Sequence, residues 1–254
     1  MTTRFLGFRL AGPLASWGDV TVGDVRSSWP APSASALTGL LAAAMGVRRE
    51  DEAGQAALSA FRFAVRLDVP GVPLIDFQTV ESANTRRRAK PIRTRREEVA
   101  VLRRERDLAS DKRQHAPKVT QRTYYADQVS TVLAWGGDVE GAAAALARPA
   151  FFLCLGRRAC PPSRPPGARV VEAETIRAAF EAYDAPWAEQ LDDLTPSGAE
   201  VFWDARPDGP PSGLDRVQTT ERRDLSVSRG ADWTFAPRPV ASGRWSADAE
   251  EGAS

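Results

Sequence analysis

Hydrophobic and polar positions alternate with a period of two near the start of the chain. In Arg4-Phe5-Leu6-Gly7-Phe8-Arg9-Leu10, the residues Leu6, Phe8 and Leu10 share one face, the pattern of a half-buried strand. Gly12-Pro13 predicts the end of that strand. After a loop holding Trp17 and Arg26, the period changes. Leu37, Leu40, Leu41 and Ala44 form one helical stripe, with Ser33 or Ser35 able to cap its start and Gly46 placed to end it. A second short helix is predicted from Glu50 to Ala60. Phe61, Phe63, Val65, Leu67 and Val69 then alternate with Arg62, Ala64, Arg66 and Asp68, the clearest strand in the sequence. Pro70-Gly71 turns the chain, and Val72 to Val80 predicts another strand.

A polar stretch, placed at 80–121, interrupts the pattern. Beyond it, Thr123 to Trp135 is rich in Tyr, Val and Thr and predicts a strand. Asp138 caps an alanine-rich helix containing Leu146 that stops before Pro149. Phe151 to Leu155 predicts a buried strand, from which Gly156-Arg157-Arg158 leads out. The order β-α-β-β-insertion-α-β predicts an α+β class. Its expected form is a ferredoxin-like βαββαβ domain, as in RRM-like folds, with both helices on one face of an antiparallel sheet. The other face would stay open for single-stranded RNA. Past Pro166, a helix over Glu174–Tyr183 and strands over Ala199–Ala205, Leu225–Ser228 and Trp233–Val240 predict a β-rich C-terminal subregion (163–245) packed on the first part. One domain is therefore expected over 1–245, followed by a disordered acidic tail at 246–254.

Composition adds little until charge is resolved along the chain. The 254 residues carry a net charge of +1. Between Arg86 and Arg122, however, stand 14 Lys/Arg and 5 Asp/Glu, leaving 20 basic and 28 acidic residues elsewhere. The insertion is thus +9 on a body of −8, a division suited to a polyanionic partner. The insertion buries too little apolar surface to fold alone, so it reads either as a solvated charged loop or as an arm that orders on RNA. No apolar run long enough to span a membrane and no secretory signal pattern is seen, and the two cysteines, Cys154 and Cys160, exclude a disulfide framework. A cytoplasmic location is expected.

Candidate chemistry lies at strand ends. Gly156 would let a ligand approach the backbone, Arg157 and Arg158 would meet phosphate or simply stay solvated, and Trp17 would stack on a base or belong to the core. Catalysis has thin support. His115 is the only histidine, and with Lys118 and Tyr124 or Tyr125 it could share the proton transfers of a metal-independent endoribonuclease. Two cysteines and one histidine make no zinc spacing, and the common phosphate-loop and nucleophile motifs are missing, so neither a metal nor a cofactor is expected.

Several segments together resemble a family. Leu10-Ala11-Gly12-Pro13-Leu14-Ala15-Ser16-Trp17-Gly18 looks like the N-terminal signature of the CasD family, the RAMP-type subunits of the type I-E CRISPR surveillance complex, Cascade. Pro32 to Gly46 resembles the family's first helix, and Phe63-Ala64-Val65-Arg66 with Asp68 its second strand. Asp76-Phe77-Gln78-Thr79-Val80 and Arg122-Thr123-Tyr124-Tyr125-Ala126-Asp127 are similar to the entry and exit of its thumb, although a histidine is usual where Gln78 stands. Leu155-Gly156-Arg157-Arg158-Ala159-Cys160-Pro161 resembles its Gly-Arg-(Arg/Lys)-x-Cys-Pro element. Arg222-Arg223-Asp224 and Phe235 to Val240 are compatible with its last strands. The resemblance implies a non-catalytic subunit that caps the 5′ handle of crRNA. It also implies contact with the adjacent backbone subunit and the large subunit, and with target DNA through the complex. RNA contact is then expected from Ser16, Trp17, Arg26, Ser33, Ser35, Arg86, Arg87, Arg88, Lys90, Arg93, Arg122, Tyr124, Gly156, Arg157 and Arg158.

Overall fold

The alternation of Leu6, Phe8 and Leu10 becomes strand β1 (Thr3–Ala15) in a computed structural model that describes residues 2–19, 23–83, 94–107, 115–187, 198–228 and 234–245. Two units are distinguished. The first comprises Met1–Gly18, Ser28–Leu74 and Tyr124–Ser254, the second Asp19–Ser27 and Ile75–Thr123.

Strands of the first unit are β1, β3 (Arg62–Val69), the later part of β5 (His115–Trp135), β6 (Arg169–Ala173), β7 (Glu200–Asp204), β8 (Arg216–Ser228) and β9 (Thr234–Arg244). Numbered with β2 (Val25–Arg26) and β4 (Val72–Ala83), they run in the order β6-β1-β5-β3-β7-β9-β8, and these neighbours pair antiparallel. The C-terminal strands extend the sheet through β3–β7 pairing.

β1 runs straight through Gly12-Pro13, where the sequence predicted its end. Its register on β5 keeps the same offset from Leu6↔Ala134 to Ala15↔Tyr125, with the pairing skipped at Pro13 alone. Arg9 N–H and the Ala11 carbonyl point away from β5, to Pro166 and Ser163. Pro13 has the same parity, so the donor it lacks would have faced away from β5 as well, and the strand continues past it in the same register.

Helices α1 (Ala34–Met45) and α4 (Val139–Ala147) lie on one face. Ser33 caps α1 by accepting from Ala36 N–H at 3.3 Å, and Asp138 caps α4 by accepting from Gly141 N–H at 2.9 Å. Leu37, Leu40, Leu41 and Leu146 meet Leu6, Phe8, Phe63, Val65 and Val132 there. A short helix α2 (Glu52–Leu58) follows α1.

Two sequence expectations fail in this unit. Phe151 to Leu155 is not a strand. Ala150 and Phe151 N–H donate to the carbonyls of Ala44 and Ala43 at the end of α1, and Leu155 N–H donates to Cys160 O at 2.7 Å. These backbone groups are used locally, and the strand beside β1 is β6 instead. Nor is the second sheet face open along β1, β5 and β3. Helix α5 (Ile176–Asp184) packs there, joining Phe180, Ile176 and Ala179 to Phe5, Ala64, Leu133, Trp135, Trp203 and Trp245. Gly7 permits this approach, because a Cβ at that position would meet the Tyr183 ring at 2.4 Å.

In the second unit β2 pairs parallel with the early part of β5, and Thr120 Oγ1 donates to Gln78 O at 3.4 Å. Within the basic insertion, expected not to fold by itself, helix α3 spans Arg95–Asp107. Thr94 Oγ1 accepts from Glu97 N–H, and Glu97 and Glu98 put negative charge in the first turn. The predicted acidic tail lies outside the described residues, as do Arg86, Arg87, Arg88, Lys90 and Arg93.

Candidate nucleic-acid interface

Residues 155–160 form a closed loop held against the end of β1. Ser16 N–H donates to Leu155 O at 3.0 Å, and Cys160 N–H donates to Arg157 O at 2.9 Å. Gly156 has φ 84°, and a Cβ there would lie 1.8 Å from Ser16 O. The close approach expected at Gly156 is thus made by the protein's own backbone. It turns the chain so that the Arg157 guanidinium stacks on Tyr124, 4.9 Å from the ring centroid, while Arg158 is exposed. Tyr124 itself is buried beneath Arg157. Cys160 is buried, and burial pushes its thiol up despite Arg157, which suits a structural role and not a nucleophile.

Trp17 does not offer a free stacking face. It is 5% exposed, and three partners lock it. Its N–H donates to Ser28 Oγ at 2.9 Å, its carbonyl accepts from Ser33 Oγ at 3.3 Å, and its indole Nε1–H donates to Gln128 Oε1. Gln128 in turn donates to the carbonyls of Pro30 at 2.6 Å and Pro70 at 3.0 Å. Ser16 and Ser33 are buried within this arrangement, and Ser35 Oγ lies 3.2 Å from Ser33 Oγ. Of the expected contact residues in the first unit, Ser16, Trp17, Ser33, Tyr124, Gly156 and Arg157 build the platform, and Arg158 stands out from it.

In the second unit Arg26 and Arg122 are register partners. Gln78 donates from Nε2 to Asp76 Oδ2 at 2.7 Å. His115 begins β5, but its side chain and that of Lys118 lie outside the described residues, so the trio proposed for cleavage has no geometry to compare.

Sequence reasoning missed Gln128 and two buried ion networks. Arg66, 2% exposed, donates to Asp68 at 2.6 Å and pairs with Asp184 at 2.7 Å. Arg9 joins Asp184 at 2.8 Å and Thr131 at 3.1 Å. Burial alone would lower the Arg66 pKa, but Asp68 and Asp184 outweigh it and hold the guanidinium above its usual value. Arg238 pairs with Asp224 at 2.7 Å, and Asp224 accepts from Ala34 N–H at the start of α1. The alternation of Arg66 and Asp68 with Phe63, Val65 and Leu67 marked them as polar-face residues. Only α5, more than 100 residues later, turns that face into an interior. Among the described residues no cluster able to hold a metal ion is present, and no helix is long and apolar enough to cross a membrane.

Comparison with known proteins follows the same lines. The model of a family described as CRISPR-associated protein (Cas_Cas5) matches residues 5–236. The chain is 29% identical over 242 residues to the CRISPR system Cascade subunit CasD of Escherichia coli (strain K12), covering 90% of this chain and 97% of that protein. It is similar to a chain of a solved CRISPR RNA-guided surveillance complex, with TM-score 0.63, 29% identity and coverage of 95% and 90% of the two chains. A crystal structure of a Cas protein is also similar, with TM-score 0.57, 25% identity and 94% of each chain covered.

Proposed function

The chain belongs to the Cas5 family of CRISPR-associated proteins, and on that footing we propose that it binds crRNA as a non-catalytic subunit of a Cascade-type complex, holding the 5′ handle. The observation that carries this reading is the ledge at Gly156-Arg157-Arg158. Its backbone is pinned to Ser16, Arg157 is stacked on Tyr124, and Arg158 is presented to solvent. Cationic forks on a rigid support recognise phosphate with little ordering cost. The +9 charge of residues 86–122 supplies long-range attraction to RNA.

In this reading β1, α1, β3, β5, α4 and β6 make up the ferredoxin-like core, and residues 80–121 act as its thumb. Because α5 covers part of the second sheet face, RNA lies along the loop ends of the strands instead of across the open sheet. The adjacent backbone subunit and the large subunit are the expected neighbours, with target DNA reached through the assembled complex. Co-expression with its neighbouring subunits tests the site. Arg157→Ala with Arg158→Ala is expected to reduce the crRNA recovered with the complex, and unchanged recovery would remove the ledge from the interface. Cleavage of a repeat hairpin by the purified chain, abolished in His115→Ala, would overturn the non-catalytic reading.

A further inference from the structure

Phe151-Phe152 has the composition of a buried segment and stands in solvent. Phe151 is 42% exposed and Phe152 66%. Ala147, Arg148, Pro149 and Ala150, which lead into them, are exposed as well. The segment is nevertheless held in place. Ala150 N–H donates to Ala44 O at 2.9 Å, Phe151 N–H donates to Ala43 O at 3.0 Å, and Leu153 is buried in the core just beyond. Two arginines flank the pair. The Arg48 guanidinium lies 6.0 Å from the Phe151 ring centroid, and Arg148 precedes the pair in the same exposed stretch. Both arginines are exposed, and among the described residues neither is in an ion pair.

Aromatic side chains beside arginine form the energetically dominant centres of protein interfaces, and a backbone already held in place lowers the ordering cost of binding. The charge pattern selects the occupant. Glu50, Asp51 and Glu52 are exposed directly after Arg48 and Arg49. A nucleic-acid strand carries a negative charge at every nucleotide and would run into these carboxylates. A protein segment can place one or two carboxylates at the arginines and apolar side chains between them. We propose that Phe151 and Phe152, with Arg48 and Arg148, dock an acidic, apolar segment of a neighbouring protein subunit. Phe152 is the anchor, and the two arginines pair with carboxylates at the edges of the patch. The surface rests on the assembly reading above and gives a role to side chains that the Arg157–Arg158 ledge does not use.

The test is photocrosslinking in the assembled complex. The full chain with Phe152→p-benzoylphenylalanine is co-expressed with its neighbouring subunits, the purified complex is irradiated, and the joined peptides are identified by mass spectrometry. The crosslink is expected to reach another protein subunit, at a segment with Asp or Glu within about one helical turn of the joined residue. Phe152→Ser is expected to weaken retention of that subunit about tenfold, the scale of a lost interface hot spot, and so is Arg48→Glu combined with Arg148→Glu. The unfolding midpoint of the isolated chain stays unchanged in these variants, because the replaced side chains are exposed. Changing the carboxylates of the crosslinked segment to arginine restores retention by the chain carrying Arg48→Glu and Arg148→Glu. A crosslink to crRNA, to a second copy of this chain or to a segment without carboxylates overturns the proposal. So does an assembled, crRNA-bearing complex that yields no crosslink and is untouched by the variants. A wild-type chain that neither assembles nor retains crRNA overturns the assembly reading and the docking surface with it.

Discussion

Gly156 sets the path of the Arg157 loop, because no other residue fits where it sits. Its φ is 84°, and a side chain would run into Ser16 O. Gly156→Ala is expected to destabilise the chain by about 2 kcal/mol or more, read by chemical denaturation, from backbone strain plus displacement of residues 155–160. Asp208 makes a different single-residue prediction. Its bond to the Arg62 guanidinium lowers its carboxyl pKa from 3.8 to about 2. The group is depressed in the folded state, so its contribution is present above the unfolded value and is lost as pH falls through about 2. An NMR titration of Asp208 is expected to show a midpoint near 2 that returns toward the ordinary carboxylate range in Arg62→Ala. No motif marked Asp208, since its partner lies 146 positions away.

At the scale of elements, α1 and α4 were legible because caps are local. Ser33 and Asp138 satisfy N–H groups three residues on, and a short window of sequence contains everything the cap needs. Asp138→Ala is expected to cost about 1 kcal/mol of stability, measured by thermal or chemical unfolding, while crRNA recovery is unchanged because α4 takes no part in the ledge. Helix α3 carries the same kind of signal in Thr94 and Glu97, hidden in a segment whose charge suggested an unfolded arm. The segment from Phe151 to Leu155 misled in the opposite sense. Its apolar run matches a buried strand, yet Phe152 is 66% exposed, and the end of α1 takes up the first of its backbone donors. An apolar run shows what a segment could bury, not which backbone will pair with it.

Across the whole molecule, the second face of the sheet is the largest departure from expectation. Alternation along β3 placed Arg66 and Asp68 on a polar face, and the βαββαβ pattern left that face free. Helix α5 covers it, and Arg66 lies between Asp68 and Asp184, with its guanidinium 5.0 Å from the Phe180 ring centroid and 4.8 Å from that of Trp245. Arg66→Ala would remove the buried cation that pairs with both Asp68 and Asp184, leaving them only Arg9. It is expected to cost about 3–5 kcal/mol in equilibrium unfolding, well beyond the effect of any exposed arginine in the chain.

By itself the sequence determined the period-two strands at Leu6–Leu10 and Phe63–Val69, the capped helices α1 and α4, the split of charge between body and insertion, and the ordered segments that resemble the CasD family. These depend on neighbours a few residues apart or on composition, which one chain displays directly. Tertiary structure alone decided that β1 continues through Pro13, that β6 and not Phe151–Leu155 completes the pairing on β1, and that α5 closes the second face. It also decided that Trp17 is held by Gln128 and that Arg26 stands beside Arg122. Each of these depends on a partner about 100 or more residues away or on which side of a strand is already occupied, and neither periodicity nor charge carries that information.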